Sequence, residues 1–313
     1  MKNPSIALIL SCSDVERQAR SCIEHIQQTQ PVGDVELLLV NWEGCDYSPY
    51  AKGFAAVKTV AFPRSSTLKK GLATALRLAT ADIVVFLEDH THLEGRWVER
   101  LPVIFREKGA DAVGWTVIPY DKTSSASWSA YLVEYGRWGP GVREGYYDMI
   151  PGHNSSYRRS VLMESDALLE SYLQSENLMQ ARLVERGKKL FFTNEFTLAH
   201  AQFLSATKFY WADFWYGWGY ADTRQKAGSW GYGKRLLYAV LIPAKVFIRW
   251  AILIRTPRDP AFFPKGIVAR HAFGITIGYL TGVLGEMGGY LFGTWKSRHM
   301  STKYEVGYDR RAS

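Results

Sequence analysis

Three ionisable residues in a row, Glu88-Asp89-His90, follow the apolar stretch Asp82-Ile-Val-Val-Phe-Leu87. Charge placed where the neighbouring backbone is buried is costly unless a cation or a polar ligand satisfies it. A divalent metal would do so. Carboxylate oxygens suit Mg²⁺ or Mn²⁺, and a cation here could bridge two phosphates and stabilise the charge on a departing diphosphate. The same three residues also read as a solvated polar loop that caps a strand.

The elements that must hold such a group alternate in type. Ser5–Leu10 is a short apolar run, and Asp14–Gln28 follows with Val15, Ala19, Cys22, Ile23 and Ile26 at helical spacing. Val35–Val40 predicts a second strand, ending at the polar and small residues Asn41, Glu43, Gly44 and Asp46, and Ala55–Phe62 a third. Leu68–Ala79 predicts a helix and Asp82–Leu87 the strand that leads into Glu88. This alternation implies an α/β fold with a mostly parallel sheet flanked by helices. Ligands bind such sheets outside the carboxyl ends of the strands. Residues just after Leu10 (Ser11 and Ser13), Val40 (Asn41) and Leu87 should therefore converge on one crevice. No Gly-x-Gly-x-x-Gly follows the first strand, which argues against a dinucleotide enzyme. Further along, Ala112–Pro119 predicts a strand and Ser124–Pro140 an irregular or partly helical stretch. Residues 152–159 predict a loop leading into a helix, where Arg158 and Arg159 either meet phosphate or are solvated. Leu168–Arg186 predicts one helix closed by Gly187, and Lys189–Thr193 a strand.

The 313 residues, 47% of them hydrophobic, suit one large or two small globular domains and exclude disorder, collagen-like repeats and a bare coiled coil. Three cysteines without a Cys-x-x-Cys spacing give neither a disulfide framework nor a thiolate zinc site, and a reducing compartment is the natural reading. The apolar run at the N-terminus is too short for a signal peptide, so the chain is expected in the cytosol. Ala201–Ser313 carries 16 Lys plus Arg against six Asp plus Glu, a net of +10, which leaves −2 for the rest of a chain whose total is +8. Basic charge mixed with apolar and aromatic segments favours an anionic membrane surface and argues against nucleic acid.

The order of these pieces resembles the GT-A core of glycosyltransferase family 2 over roughly residues 5–200. The resemblance is carried by the first strand, by the second strand running into Asn41-Trp42-Glu43-Gly44-Cys45-Asp46, and by Phe86–His90. Pro151-Gly152-His153-Asn154 with Tyr157-Arg158-Arg159, Glu176–Leu183, Gly187 and His200 complete it. It implies an inverting glycosyltransferase that moves a sugar from a nucleoside-diphosphate sugar to a lipid-linked or surface-glycan acceptor, with a divalent cation, Mn²⁺ or Mg²⁺. By the same resemblance Asn41 stands where an aspartate reads the nucleotide base, and Asp46 closes that turn. Ser11, Ser13 and Asp89 line the nucleotide sugar, and Glu88-Asp89-His90 stands for the Asp-x-Asp metal motif, with Glu88, His90 and His200 as ligands. Gly152, His153 and Asn154 form the loop beneath the acceptor, and Glu176 is the catalytic base. Two outer aspartates of the metal motif and the base-reading aspartate are replaced. A non-catalytic glycan- or lipid-binding scaffold is the alternative that these departures raise.

The resemblance stops near residue 205, giving an expected catalytic domain over 1–205 and an aromatic-rich, basic helical region over 206–313. Leu236–Ile254 is an apolar helix interrupted by Pro243, Lys245 and Arg249, which fits a helix lying in the headgroup plane with its basic side chains reaching lipid phosphates. His271–Trp295 holds Glu286 and glycines at 274, 278, 282, 285, 288, 289 and 293. It is long enough to cross a bilayer, but its composition suggests a re-entrant hairpin or close helix packing through small residues. The aromatic cluster from Phe209 to Tyr220 would supply an interfacial belt or line an acceptor channel, and a soluble helical subdomain is the plainer reading. The expected location is the cytoplasmic face of the membrane, peripheral, monotopic or re-entrant.

Overall fold

The computed structural model describes residues 4–293, 297–308 and 310; Trp295, the end of the second apolar stretch, and Met1–Asn3 lie outside the described residues. The chain forms two compact units. One comprises Met1–Thr116, Arg143–His200 and Glu305–Ser313, and the other Val117–Val142 with Ala201–Tyr304. Each unit is thus discontinuous, whereas the sequence suggested a single cut near residue 205.

The first unit is built on a mixed sheet of the expected α/β class. Its strands are β1 (Ile6–Ser11), β2 (Val35–Trp42), β3 (Ala56–Phe62), β4 (Ile83–Glu88), β5 (Thr91–Glu94), β6 (Ala112–Pro119), β7 (Gly145–Tyr146), β8 (Ser155–Arg158) and β9 (Leu190–His200), in the order β3-β2-β1-β4-β8-β6-β9-β5, with β7 paired to β9. β3, β2, β1 and β4 run parallel, and β8 enters antiparallel between β4 and β6. β1 and β4 are buried along their whole length, which is why their sequences are continuous apolar runs and do not alternate. The helices Glu16–Thr29 and Leu68–Leu78 cover the sheet with the apolar faces that their spacing implied.

Several elements differ from the sequence reading: the helix Trp97–Glu107 was not expected, and β9 runs on to His200 where a strand over Lys189–Thr193 was expected. β2 does not end at Val40 but continues through Asn41 and Trp42, paired to Ala61 and Phe62. Ser155–Arg158 is a strand rather than part of a loop; four residues without an apolar run carry little strand signal, and pairing to β4 decides the outcome. The expected helix over Leu168–Arg186 breaks at Ser175 (φ −145°, ψ 76°) into Leu169–Gln174 and Glu176–Glu185, which leaves Glu176 in the first turn of the second helix. Gly187 ends that helix at φ +76°, as expected of a left-handed cap.

The second unit is helical. Ser125–Glu134, Ala206–Ala227, Tyr232–Leu241, Lys245–Arg255 and Ala272–Phe292 are its main helices, and a short 3₁₀ turn containing Pro243 joins the third to the fourth. Ala206–Ala227 and Ala272–Phe292 pack along each other through glycine. A Cβ on Gly217 would run into the backbone of Gly282, and one on Gly285 into the Phe214 carbonyl. This is the small-residue packing that the glycine spacing suggested. Glu286 is buried there and pairs with Lys245. Lys245 therefore turns into the bundle, where the sequence reading had it reaching for lipid. Arg249 lies over the Tyr279 ring in the same unit.

Candidate functional site

The register of the sheet assembles the site. Ser11, the last residue of β1, is level with Val40 of β2 on one side and Glu88 of β4 on the other, so the three strand ends do meet. After Glu88 the chain reverses, with the Asp89 N–H donating to the Ser11 carbonyl (3.0 Å) and the Thr91 hydroxyl to the Glu88 carbonyl (2.7 Å). β5 then pairs antiparallel with β9, Thr91 opposite His200, and this brings a residue 110 positions away beside His90.

Glu88, His90 and His200 form a buried group whose ligand atoms all lie within 4.8 Å of one another. His200 Nε2 is 3.1 Å and His90 Nε2 3.6 Å from the same Glu88 oxygen. Asp89 orients the group from behind: its Oδ1 faces His90 Nδ1 at 3.2 Å, while its Oδ2 accepts from both the backbone N–H and the hydroxyl of Ser13, each at 2.6 Å. With Nδ1 turned to a carboxylate, His90 presents Nε2, which has no hydrogen-bond partner although the side chain is 2% exposed. A buried imidazole nitrogen left unsatisfied beside a carboxylate and a second imidazole is what a metal site shows without its ion. Burial also lowers the pKa of His90 and brings that of His200 down to about 3. Burial alone would raise Glu88, but His90, His200 and His153 outweigh it and hold the carboxylate ionised. The donor set fits a divalent cation, and two imidazoles favour Mn²⁺ or a softer ion over Mg²⁺.

The turn before β8 ties this group to Glu176. Asn154 donates from Nδ2 to Glu88 Oε2 (2.8 Å) and accepts the Glu88 N–H on Oδ1 (3.1 Å). One residue earlier, the His153 N–H donates to Glu176 Oε2, and His153 Nδ1 lies 3.2 Å from the same oxygen. His153 has φ +60°, an unusual conformation for a residue with a side chain. Gly152 permits the approach, since a Cβ there would sit 2.6 Å from Glu176 Oε2. Burial raises the Glu176 pKa, but the His153 charge and hydrogen bond, with Lys69, pull it below the usual carboxylate value. His153 in turn rises to about 9 because Glu176 outweighs the effect of burial.

The expected nucleotide residues divide. Asn41 is fully buried; its Nδ2 donates to the carbonyls of Trp42 (3.0 Å) and Cys45 (2.6 Å), which leaves Oδ1 as an acceptor without a partner. Ser13 lies between Asp89 and Gln18, and Ser11 turns its hydroxyl to the Leu87 carbonyl (3.2 Å). Both oxygens of Asp89 are engaged within the protein, so its position is a supporting one. Asp46 is exposed and accepts the Ser48 N–H (3.0 Å) in a local turn. Arg158 donates to the Ala110 and Phe105 carbonyls, and Arg159 to those of Leu76 and Arg77, so both arginines brace the fold.

Sequence reasoning missed Lys69. It is 2% exposed, its Nζ lies 3.1 Å from Glu305 and 3.4 Å from His153 Nδ1, and burial, which would lower its pKa, is outweighed by Glu305, Glu176 and Glu88, which raise it. Its signal was its place: a lysine in the first turn of a helix opposes the helix dipole, and an apolar neighbour on either side of Lys69-Lys70 turns one of them inward. Gln18, which bonds the Ser13 hydroxyl, and Glu305, which pairs with Lys69, carried no signal.

No known protein-family model matches the chain, and no curated protein does. Among solved structures the chain is similar to S. aureus TarS 1-349, a glycosyltransferase. The crystal structure of TarS in complex with UDP matches with a TM-score of 0.49 and 9% identity over 91% of this chain and 90% of that one, and a second TarS structure with a TM-score of 0.46 and 10% identity over the same shares.

Proposed function

We propose that the protein is a metal-dependent inverting glycosyltransferase of GT-A type that uses a nucleoside-diphosphate sugar. One observation carries this reading: a single three-residue turn, Gly152-His153-Asn154, fixes a cation-binding carboxylate at one end and a buried ionised carboxylate at the other. An inverting displacement needs that pairing. The acceptor oxygen bonds to the anomeric carbon as the bond from that carbon to the diphosphate oxygen breaks. The hydroxyl proton passes to Glu176, and the bonding pair leaves with the diphosphate. A cation held by Glu88, His90 and His200 would stabilise the charge on that leaving group. Asn41 Oδ1, buried and lacking a donor, suits a base that presents a ring N–H such as uracil or guanine.

The exposed apolar side chains of the second unit support docking on an anionic bilayer at the cytoplasmic face, with a lipid-linked or surface-glycan acceptor. Val240, Phe247, Ile248, Ile254 and Phe273 are exposed, and the stretch Tyr232–Arg255 is long and apolar enough to cross a membrane by length and composition. The 3₁₀ turn at Pro243, with mostly exposed apolar side chains and Lys234 and Arg255 at its ends, favours lying in the interface.

Calorimetric titration with UDP, GDP, ADP, CDP and dTDP, with and without MnCl₂, tests the reading. Metal-dependent binding of one diphosphate, with slow hydrolysis of its sugar conjugate, is expected. A degenerate scaffold would show neither.

A further inference from the structure

The helix Leu68–Leu78 opens at Thr67, whose hydroxyl oxygen accepts the Lys70 N–H (3.3 Å), and its first turn presses on the sheet: a Cβ on Gly71 would sit 2.7 Å from Val40 Cγ1. Lys70 stays exposed and Lys69 is carried inward. Lys69 Nζ then lies 3.1 Å from Glu305 Oε1 and 3.4 Å from His153 Nδ1, and the same ring nitrogen is 3.2 Å from Glu176 Oε2. Glu305, Lys69, His153 and Glu176 thus form one run of charge inside the sheet unit.

An ammonium offers donors alone and an ionised carboxylate acceptors alone, so a single ring nitrogen cannot serve both. With its proton on Nδ1, His153 bonds Glu176 and meets Lys69 as a like charge. Stability does not ask for this arrangement, since apolar residues of similar volume often replace a buried ion pair without loss. A base does. His153 from the turn, Lys69 from the helix and Tyr157 from β8 are the ionisable groups that face Glu176, while Glu88 and Glu305 face Lys69. Burial works against the Glu176 carboxylate, and the charges of His153 and Lys69 outweigh it. A donor diphosphate would add negative charge to the site and push the other way.

Resting on the glycosyltransferase reading, we propose that Lys69 is a positioning residue for proton transfer: tethered by Glu305, its ammonium sits against the His153 nitrogen that meets Glu176 and keeps that carboxylate ionised, ready for the proton of the acceptor hydroxyl. Lys69 acts through the charge state of Glu176. Glu305 sets how strongly it does so, because it draws the ammonium toward itself.

Two variants separate this role from a bracing one because they move the base in opposite directions. Lys69→Met removes a cation facing Glu176, and Glu305→Gln removes the anion that draws Lys69 away from it. In protein carrying isotope-labelled glutamate, the Glu176 carboxyl NMR signal, assigned by its loss in Glu176→Gln, is titrated without metal or nucleotide. Its midpoint should rise by about one pH unit in Lys69→Met, fall by about half a unit in Glu305→Gln and stay near wild type in Lys69→Arg. Hydrolysis of UDP-glucose, UDP-N-acetylglucosamine and GDP-mannose with MnCl₂ is then followed against pH. For a conjugate that wild type cleaves, the acid limb should move with the carboxyl, and the plateau above it should stay within about threefold of wild type. Shifts in the same direction in both variants, or none, overturn the role of Lys69, as does a rate lowered equally at every pH. Where wild type cleaves none of the three, the carboxyl titration decides. Should Lys69→Met not fold, Glu305→Gln decides alone: a fall supports the assignment, and an unmoved or raised midpoint overturns it. Wild type that binds no nucleoside diphosphate overturns the glycosyltransferase reading, and this inference with it, whatever the carboxyl does.

Discussion

In the sheet unit, Glu88, Asp89, His90, Asn154, Glu176 and Lys69 are all nearly buried, and each is held by named partners on other strands and turns. In the helical unit the pattern reverses: Val240 is 68%, Phe247 78% and Phe273 81% exposed, while the charged Glu286 and Lys245 pair inside. Burying polar groups and exposing apolar ones are both unfavourable in water, so each pattern points to something that compensates it. In the first unit the compensation is internal and directional, which suits a small charged ligand. In the second, the exposed apolar side chains are what the proposed lipid surface would cover.

The largest effect should come from the carboxylate on the Gly152–Asn154 turn. Glu176→Gln should lower turnover by roughly 10²- to 10⁴-fold with diphosphate affinity preserved, because only proton transfer is removed. Gly152→Ala should reproduce much of that loss, since the added Cβ would displace Glu176 Oε2. Normal turnover in Glu176→Gln would remove the base from the scheme. Next in size, Asp89→Asn should weaken Mn²⁺ by about 10- to 100-fold without deleting a ligand, through loss of the carboxylate that orients His90. Titration of Mn²⁺ into the variant checks this, and unchanged affinity would show that Asp89 merely anchors Ser13.

How much of this was legible in the sequence depended on chain distance. β1, β2, β4 and the helices Glu16–Thr29 and Leu68–Leu78 were readable because burial on both faces, or a helical stripe, writes itself into consecutive residues. Glu88 and His90 were visible as charge at the end of such a run. That His200 joins them depends on the antiparallel pairing of β5 with β9, which no local pattern encodes. β8 was hidden because four polar or small residues become a strand only when they enter a gap between two others. Lys69 was not singled out in the sequence, and it is the fold that buries it.

The helical unit supplies a smaller and separable effect. Phe247→Glu together with Val240→Glu should lower partition onto vesicles containing anionic lipid by roughly 10-fold or more, from lost apolar burial and added like charge. Diphosphate binding should stay as in wild type, since neither residue belongs to the sheet unit. Retained partition in the double variant would leave these exposed side chains to some other partner, and lost nucleotide binding would tie the helical unit to the site.

The smallest expected effect lies in pH dependence and concerns His153. Its pKa rises from an ordinary 6.5 to about 9 because Glu176 lies against the ring. A histidine raised on folding adds stability that is complete below its unfolded pKa, persists through neutrality and is lost as pH climbs through about 9. The ring is partly exposed, so solvent screening keeps the contribution modest. The thermal midpoint of wild type should therefore fall more steeply than that of His153→Gln as pH rises from neutral to above 9. The same charge keeps Glu176 ionised at neutral pH, so the variant should also shift the acid limb of the rate profile upward. Parallel melting curves and an unmoved acid limb would mean that His153 contributes its backbone N–H alone to the site.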